Sequence, residues 1–140
     1  MACVVTSANA APQCYSATEI EADQAVRYQA KLMVLSDSCR SNSYSEFVHR
    51  NAQVLSAYQR QLIGFYRRSD PRRPEDAFDR FLTRIANQIA LTTGQEPLVS
   101  LCAKAAEFLT QADSFGTEEF RRYVVAQATE ERKSYPSCRK

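Results

Sequence analysis

A chain of 140 residues, 44% of them apolar and 24% charged, has the length and composition of one globular domain with its own core. Its 18 basic and 16 acidic residues leave a net charge of +2, a field too weak to favour nucleic-acid binding. Three glycines and five prolines are too few for a disordered chain or a β-sandwich, and no apolar run approaches the roughly 18 residues of a membrane span.

The first ten residues differ from the rest of the chain. Residues 1–10 carry no charge, and Ala8-Asn9-Ala10 has the A-x-A form of a signal-peptidase site. The apolar stretch before it is too short for a complete signal sequence, and no basic segment precedes that stretch. We interpret residues 1–10 as the remnant of a signal peptide, with a disordered tail as the alternative. Residues 11–140 are predicted to form a single helical domain.

The cysteine count favours export from the cytoplasm. Removal of residues 1–10 takes away Cys3 and leaves an even number of cysteines, as a disulfide framework requires. None lies in a C-x-x-C pair, so zinc, thioredoxin-like and c-type haem sites are not indicated. A bacterial periplasm or the external medium is therefore the predicted location. The disulfide candidates are Cys14, Cys39, Cys102 and Cys138.

Five segments have apolar residues at helical spacing, and no segment alternates as a strand would. The first helix is predicted over residues 18–38, where Ser16 and Glu19 spell a capping box. Residues 32–35 are apolar on every side of the helix, so we expect this end to be surrounded by other elements.

The second helix is predicted over residues 44–68, with Gly64 inside it where another helix would cross closely. Asp70-Pro71 ends this segment, because proline cannot continue a helix and restricts the residue before it. The third helix is predicted to open at Pro74 and to end at Gly94.

The fourth helix is predicted to begin near Pro97, and Gly116 separates it from a fifth helix that Thr117 caps. Residues 134–140 are expected to be non-helical. Short loops between consecutive helices predict antiparallel neighbours. The predicted fold is all-α, a compact bundle of about five helices linked by disulfides.

The length of the first helix restricts the disulfide pairing. Cys14 and Cys39 flank about 21 helical residues, which span roughly 30 Å, whereas a disulfide needs Cα atoms within about 7 Å. Two connectivities remain open: Cys14–Cys102 with Cys39–Cys138, or Cys14–Cys138 with Cys39–Cys102. An up-down bundle places Cys39, Cys102 and Cys138 toward one end, and we favour Cys14–Cys102 because the extended lead before the first helix can reach that position.

An arginine-rich turn lies between the second and third predicted helices. Arginine pairs bind phosphate through a planar fork, so this turn is a candidate anion patch for peripheral contact with the cell envelope. The alternative is a solvated turn at a helix C-terminus, where cations are favourable. The four residues are Arg67, Arg68, Arg72 and Arg73.

Catalytic motifs are weakly indicated. His49 is the single histidine, which excludes a multi-histidine metal site, and Ser45 one turn earlier offers at most a Ser/His pair without a positioned acid. Three adjacent acidic pairs lie near helix ends, where capping and solvation explain them better than glycoside hydrolysis does. These pairs are Glu75-Asp76, Glu118-Glu119 and Glu130-Glu131.

The leading hypothesis is a non-enzymatic module of the periplasm that binds a protein partner through a helix face, with no cofactor. The first alternative is a small cell-envelope hydrolase with an inter-helix carboxylate site, which a pocket of buried carboxylates with raised pKa values would favour. The second is a helical carrier of an apolar ligand, which an internal cavity would favour. An exposed apolar patch above a few hundred Å² would favour the interaction module.

Overall fold

The computed structural model describes residues 13–138, so the proposed signal remnant and Cys3 lie outside the described residues. Helices account for most of the described range, and the predicted all-helical bundle is confirmed. The elements are α1 Ala17–Ser38, α2 Ser43–Arg50, α3 Ala52–Ser69, α4 Pro74–Thr93, α5 Leu98–Ser114, α6 Thr117–Glu131 and a closing 3-10 turn, Arg132–Ser134.

The predicted second helix is divided at Asn51, which is why six helices replace the expected five. Asn51 is 1% exposed, and its side-chain amide donates to the carbonyl oxygens of Phe47 and Phe115 at 3.1 Å each. An asparagine side chain that bonds to backbone carbonyls offers the chain an alternative to continuous helix. The break therefore anchors the end of α2 to the link between α5 and α6.

Helix α1 is the central element, and the other five helices all pack against it. Ala22, Ala25 and Leu32 have no solvent exposure. The expectation that residues 32–35 are surrounded holds for Leu32 and Leu35, but Met33 is 39% exposed. One side of the C-terminal half of α1 is therefore left uncovered.

Helices α5 and α6 both run along α1 from its C-terminal end toward its N-terminal end. Consecutive helices were expected to be antiparallel, and α5 and α6 are not. The beginning of α5 packs near Leu35, and its middle places Phe108 beside Lys31. Beyond α6, the hydroxyl of Tyr135 accepts a hydrogen bond from Gln24. The link between the helices buries Phe115 in the core, and the rings of Phe115 and Phe120 both lie beside Tyr28 of α1, where the chain passes from α5 to α6.

This direction decides which cysteines meet. The Cα atoms of Cys14 and Cys138 lie 4.8 Å apart and those of Cys39 and Cys102 lie 5.6 Å apart, both within disulfide range. The favoured Cys14–Cys102 pairing is therefore wrong, because the chain from α5 to the tail carries Cys138 to the N-terminal end of α1. Cys14 and Cys39 stay apart, as expected, because the unbroken α1 lies between them.

Peptide mapping without reduction, on protein exported to a periplasm, should yield linked Cys14–Cys138 and Cys39–Cys102 peptides. The two bridges join residues 124 and 63 positions apart, so replacing either pair by serine should lower the free energy of unfolding by about 2–5 kcal/mol. Reductant should lower the melting temperature of the unmodified protein and have less effect on each double variant. A Cys14–Cys102 peptide would contradict the direction described for α5 and α6.

Gly64 lies inside α3 with open space around it, contrary to the expected helix crossing. No atom of a neighbouring element lies within 4 Å of the position that a Cβ atom would take. Gly64→Ala should therefore raise the free energy of unfolding by about 0.5–1 kcal/mol in urea denaturation, because alanine is the better helix former. Gly94→Ala is the contrasting variant, since its Cβ would lie 2.9 Å from the Ala90 carbonyl oxygen. A loss of stability in Gly64→Ala would show that α3 needs the glycine.

Candidate functional site

Two carboxylates are buried on α1, and the sequence indicated a capping role for Glu19 and no role for Asp23. Glu19 is 8% exposed and Asp23 is fully buried. The Oδ2 atom of Asp23 accepts hydrogen bonds from Arg27 Nε, at 2.6 Å, and from the Tyr135 hydroxyl, to which Gln24 donates at 2.8 Å. Asp23 Oδ1 has no hydrogen-bond partner among the described residues. These bonds tie the C-terminal tail to the N-terminal half of α1.

The tyrosines around Asp23 are neutral hydroxyl groups. Burial raises the pKa of Tyr15, Tyr66 and Tyr135 above the ordinary value, and the charge of Asp23 raises all three further. Arg27 is therefore the counter-charge of the Asp23 carboxylate. The other buried carboxylate, Glu19, is bound to a different arginine, Arg68, so each of the two carboxylates has its own charged partner.

Arg68, one of the four residues of the candidate anion patch, forms an ion pair with Glu19. Its Nη1 and Nη2 atoms donate to the Glu19 carboxylate at 2.5 and 2.8 Å, and Nη2 also donates to the Cys14 carbonyl oxygen at 2.9 Å. Burial acts to raise the pKa of Glu19, but hydrogen bonds from Arg68 and Ser16 outweigh it and hold the pKa below its ordinary value. Arg68 therefore braces the N-terminus of α1.

The rest of the arginine turn is an exposed surface. Arg67, Arg72 and Arg73 are exposed, and Asp70 sits among them, accepting from the Arg73 backbone N–H at 3.2 Å and from the Arg80 side chain at 3.5 Å. Of the four predicted residues, Arg68 is therefore held by Glu19, and an anion patch that includes the exposed arginines stays a prediction.

The weaker catalytic candidates are exposed side chains on the surface of the bundle. His49 is exposed, and the Ser45 hydroxyl donates to the Asn42 carbonyl oxygen at 3.0 Å. All six residues of the predicted acidic pairs are exposed. Within residues 13–138, no three His, Cys, Asp or Glu side chains are grouped so that they could hold a metal ion.

An open groove of about 600 Å³ follows the uncovered side of α1, and we name it the α1–α4 groove. Met33 and Val34 of α1 line it together with two alanines of α4, Ala86 and Ala90. The sequence contains a sign of this wall, because alanines four residues apart lie on the same face of a helix and their short side chains leave a shallow surface there. The opposite wall comes from the beginning of α2 and the residues before it, namely Ser41, Tyr44 and Ser45.

The α1–α4 groove continues toward the beginning of α5. A second cavity of about 290 Å³ shares Val34, Ser38 and Ala90 with the first and reaches Leu98 and Leu101. Leu98 is 59% exposed. The continuous surface therefore has an exposed apolar side chain toward each end, Met33 on α1 and Leu98 on α5.

Two carboxylates line this continuous surface, Asp37 in the α1–α4 groove and Glu96 in the second cavity, and they differ in their partners. Glu96 pairs with Lys104 at 2.5 Å and accepts from the Ser100 hydroxyl at 2.7 Å. Asp37 is exposed and makes no ion pair with any residue of the described range. The groove thus combines apolar surface with one carboxylate that is open to a cation.

Comparison with protein-family models, with curated proteins and with solved structures produced no match. None of the helices within residues 13–138 is both long and apolar enough to cross a membrane. We therefore infer function from the geometry of the chain itself.

Arg68→Gln should lower the free energy of unfolding by about 1–2 kcal/mol at neutral pH, because it leaves the Glu19 carboxylate without its charged partner. Arg67→Gln, an exposed change in the same turn, should stay within about 0.5 kcal/mol. Urea denaturation measures both.

The difference between these variants should depend on pH. The folded-state pKa of Glu19 lies below its ordinary value of 4.5, so the stabilisation is present above that value and disappears as the pH falls through the lower, folded-state pKa. The two variants could instead lower the free energy of unfolding equally, or differ by the same amount when Glu19 is protonated. Either result would contradict a stabilising ion pair between Arg68 and Glu19.

Proposed function

We propose that this protein is a non-enzymatic interaction module of the periplasm, and that its α1–α4 groove holds an apolar, basic segment of a partner protein. The observation that carries this proposal is the coincidence of exposed apolar side chains with the one open carboxylate of the groove. Met33 and Leu98 are 39% and 59% exposed, and Asp37 lies between the same walls.

The apolar lining supports a peptide occupant. Burial of exposed apolar surface contributes roughly 25 cal/mol per Å². A partner that covers Met33 and Leu98 therefore gains binding free energy, because it removes these side chains from water. Val99, next to Leu98, is 86% exposed and extends the apolar surface. The alanines of α4 have short side chains, which lets the backbone of a bound segment approach the groove closely.

Charge supports a basic segment over a second copy of this chain. In a dimer with twofold symmetry the same patch faces itself, which would bring two Asp37 carboxylates to one interface. A lysine or arginine of a different protein would instead complement Asp37. Glu96 is less available because it already pairs with Lys104.

The cysteine pairs support an oxidising compartment. Both Cys14–Cys138 and Cys39–Cys102 lie at disulfide distance, and such bridges persist outside the cytoplasm. The alternatives have less support. The buried carboxylates Asp23 and Glu19 are each paired with an arginine, and the α1–α4 groove is open, unlike the internal cavity of an apolar-ligand carrier.

Selection from a displayed library of random peptides, on the oxidised protein, tests this proposal. We expect enriched peptides that combine apolar residues with lysine or arginine and that bind with Kd values of about 1–100 μM. Ala90→Arg should weaken their binding at least about tenfold by filling the groove, and Asp37→Asn should weaken it about fivefold by removing the counter-charge.

Gln88→Arg is the matched control, because it adds the same side chain to α4 at an exposed position that does not line the α1–α4 groove. It should leave binding unchanged. The proposal fails if enriched peptides bind Ala90→Arg as well as the unmodified protein, if they are acidic, or if the protein dimerises and Ala90→Arg abolishes the dimer.

A further inference from the structure

A smaller cavity lies along the N-terminal half of α1, where α5 and α6 pass over it. Its volume is about 220 Å³, and we name it the α1–α5–α6 pocket. Arg27, Tyr28 and Lys31 of α1 form one side, and Phe108 of α5 and Tyr123 of α6 form the other. The pocket is separate from the α1–α4 groove, with which it shares no lining residue.

The charged side chains of this pocket are both basic. Arg27 and Lys31 lie one helical turn apart, and no carboxylate lines the cavity. Arg27 engages Asp23 through Nε at 2.6 Å, and its guanidinium lies 5.4 Å from the centre of the Phe81 ring of α4. Lys31 Nζ lies 4.5 Å from the centre of the Phe108 ring and forms no ion pair within residues 13–138. Because Asp23 offsets the charge of Arg27, Lys31 supplies the net positive charge at the edge of the pocket, beside an aromatic wall.

The aromatic rings of the pocket supply flat apolar surface, and Tyr28 of α1 supplies a hydroxyl donor. The ring of Tyr28 lies 4.8 Å from that of Phe108 and 5.2 Å from that of Tyr123. Burial raises the pKa of Tyr28 above its ordinary value, with smaller contributions from Tyr123 and Asp113, so the hydroxyl keeps its proton. The Tyr28 hydroxyl donates to Gln111 Oε1 over a long distance of 3.4 Å, so its O–H bond is able to rotate toward a ligand.

We propose that the α1–α5–α6 pocket binds a small aromatic monocarboxylate. The carboxylate pairs with Lys31 through a charge-assisted hydrogen bond, at the edge of the pocket that Arg27 borders, and the ring lies against Phe108 and Tyr123. The volume suits one ring, since a cavity of about 150 Å³ is enough for benzene. A free aromatic acid and the C-terminal aromatic residue of a peptide present the same chemistry.

Titration of the oxidised protein with benzoate, followed by backbone amide NMR shifts, tests the pocket. Benzoate should shift the amides of residues around Lys31 and Tyr123 with a Kd in the millimolar range, about that of a weak single-ring ligand. Benzamide, which has the same shape without the charge, should bind at least about tenfold more weakly. N-acetylphenylalanine distinguishes the two sources: tighter binding than benzoate assigns a peptide C-terminus, and weaker binding assigns a free acid.

Lys31→Met keeps the apolar stem and removes the charge, so it should weaken benzoate binding about tenfold while leaving the fold intact at this exposed position. Lys104→Met is the matched control, because Lys104 pairs with Glu96 away from this pocket, and it should not change benzoate binding. The proposal is overturned if benzoate causes no shifts around the pocket, if benzamide binds equally well, or if Lys31→Met binds benzoate as the unmodified protein does.

Discussion

The need to cover α1 is the constraint on which the rest of the structure depends. A helix of 22 residues is about 33 Å long, and Ala22, Ala25 and Leu32 on it are fully shielded from water. No single neighbour can shield it over that length and around its circumference, so five helices share the task. The α1–α4 groove and the α1–α5–α6 pocket are the places where this cover is incomplete.

The two buried carboxylates place a second demand on the same helix. A buried charge is costly unless it is paired and hydrogen-bonded, and Glu19 and Asp23 receive their partners from Arg68 and from Arg27 with Tyr135. Removing one partner of a buried pair is more damaging than replacing the whole pair by apolar residues. Both the end of α3 and the C-terminal tail are thereby held against the N-terminal half of α1, where the Cys14–Cys138 bridge closes the chain.

The second bridge bears on the proposed function. Cys39–Cys102 holds the beginning of α5 against the end of α1, which keeps Leu98 at the end of the α1–α4 groove. A groove whose walls are fixed in this way loses little conformational freedom when a partner binds. The α1–α5–α6 pocket is bounded by packed aromatic side chains and has no disulfide at its edge. The two proposed sites share no lining residue, so substitutions that weaken binding at one site should leave binding at the other unchanged.

The sequence by itself determined the helical class and most helix ends, because capping is local: Ser16 with Glu19, Pro74 and Gly94 act within one turn. The tertiary structure alone decided the break at Asn51, which depends on the Phe115 carbonyl 64 residues away, and the partner of Arg68, which lies 49 residues away. It also decided the cysteine pairing and both proposed sites, since these follow from the direction in which α5 and α6 cross α1. Residues that are distant in the chain meet only after the helices have packed. Hydrophobic periodicity predicts the helices and their apolar faces, but it does not predict which helices pack together or in which direction.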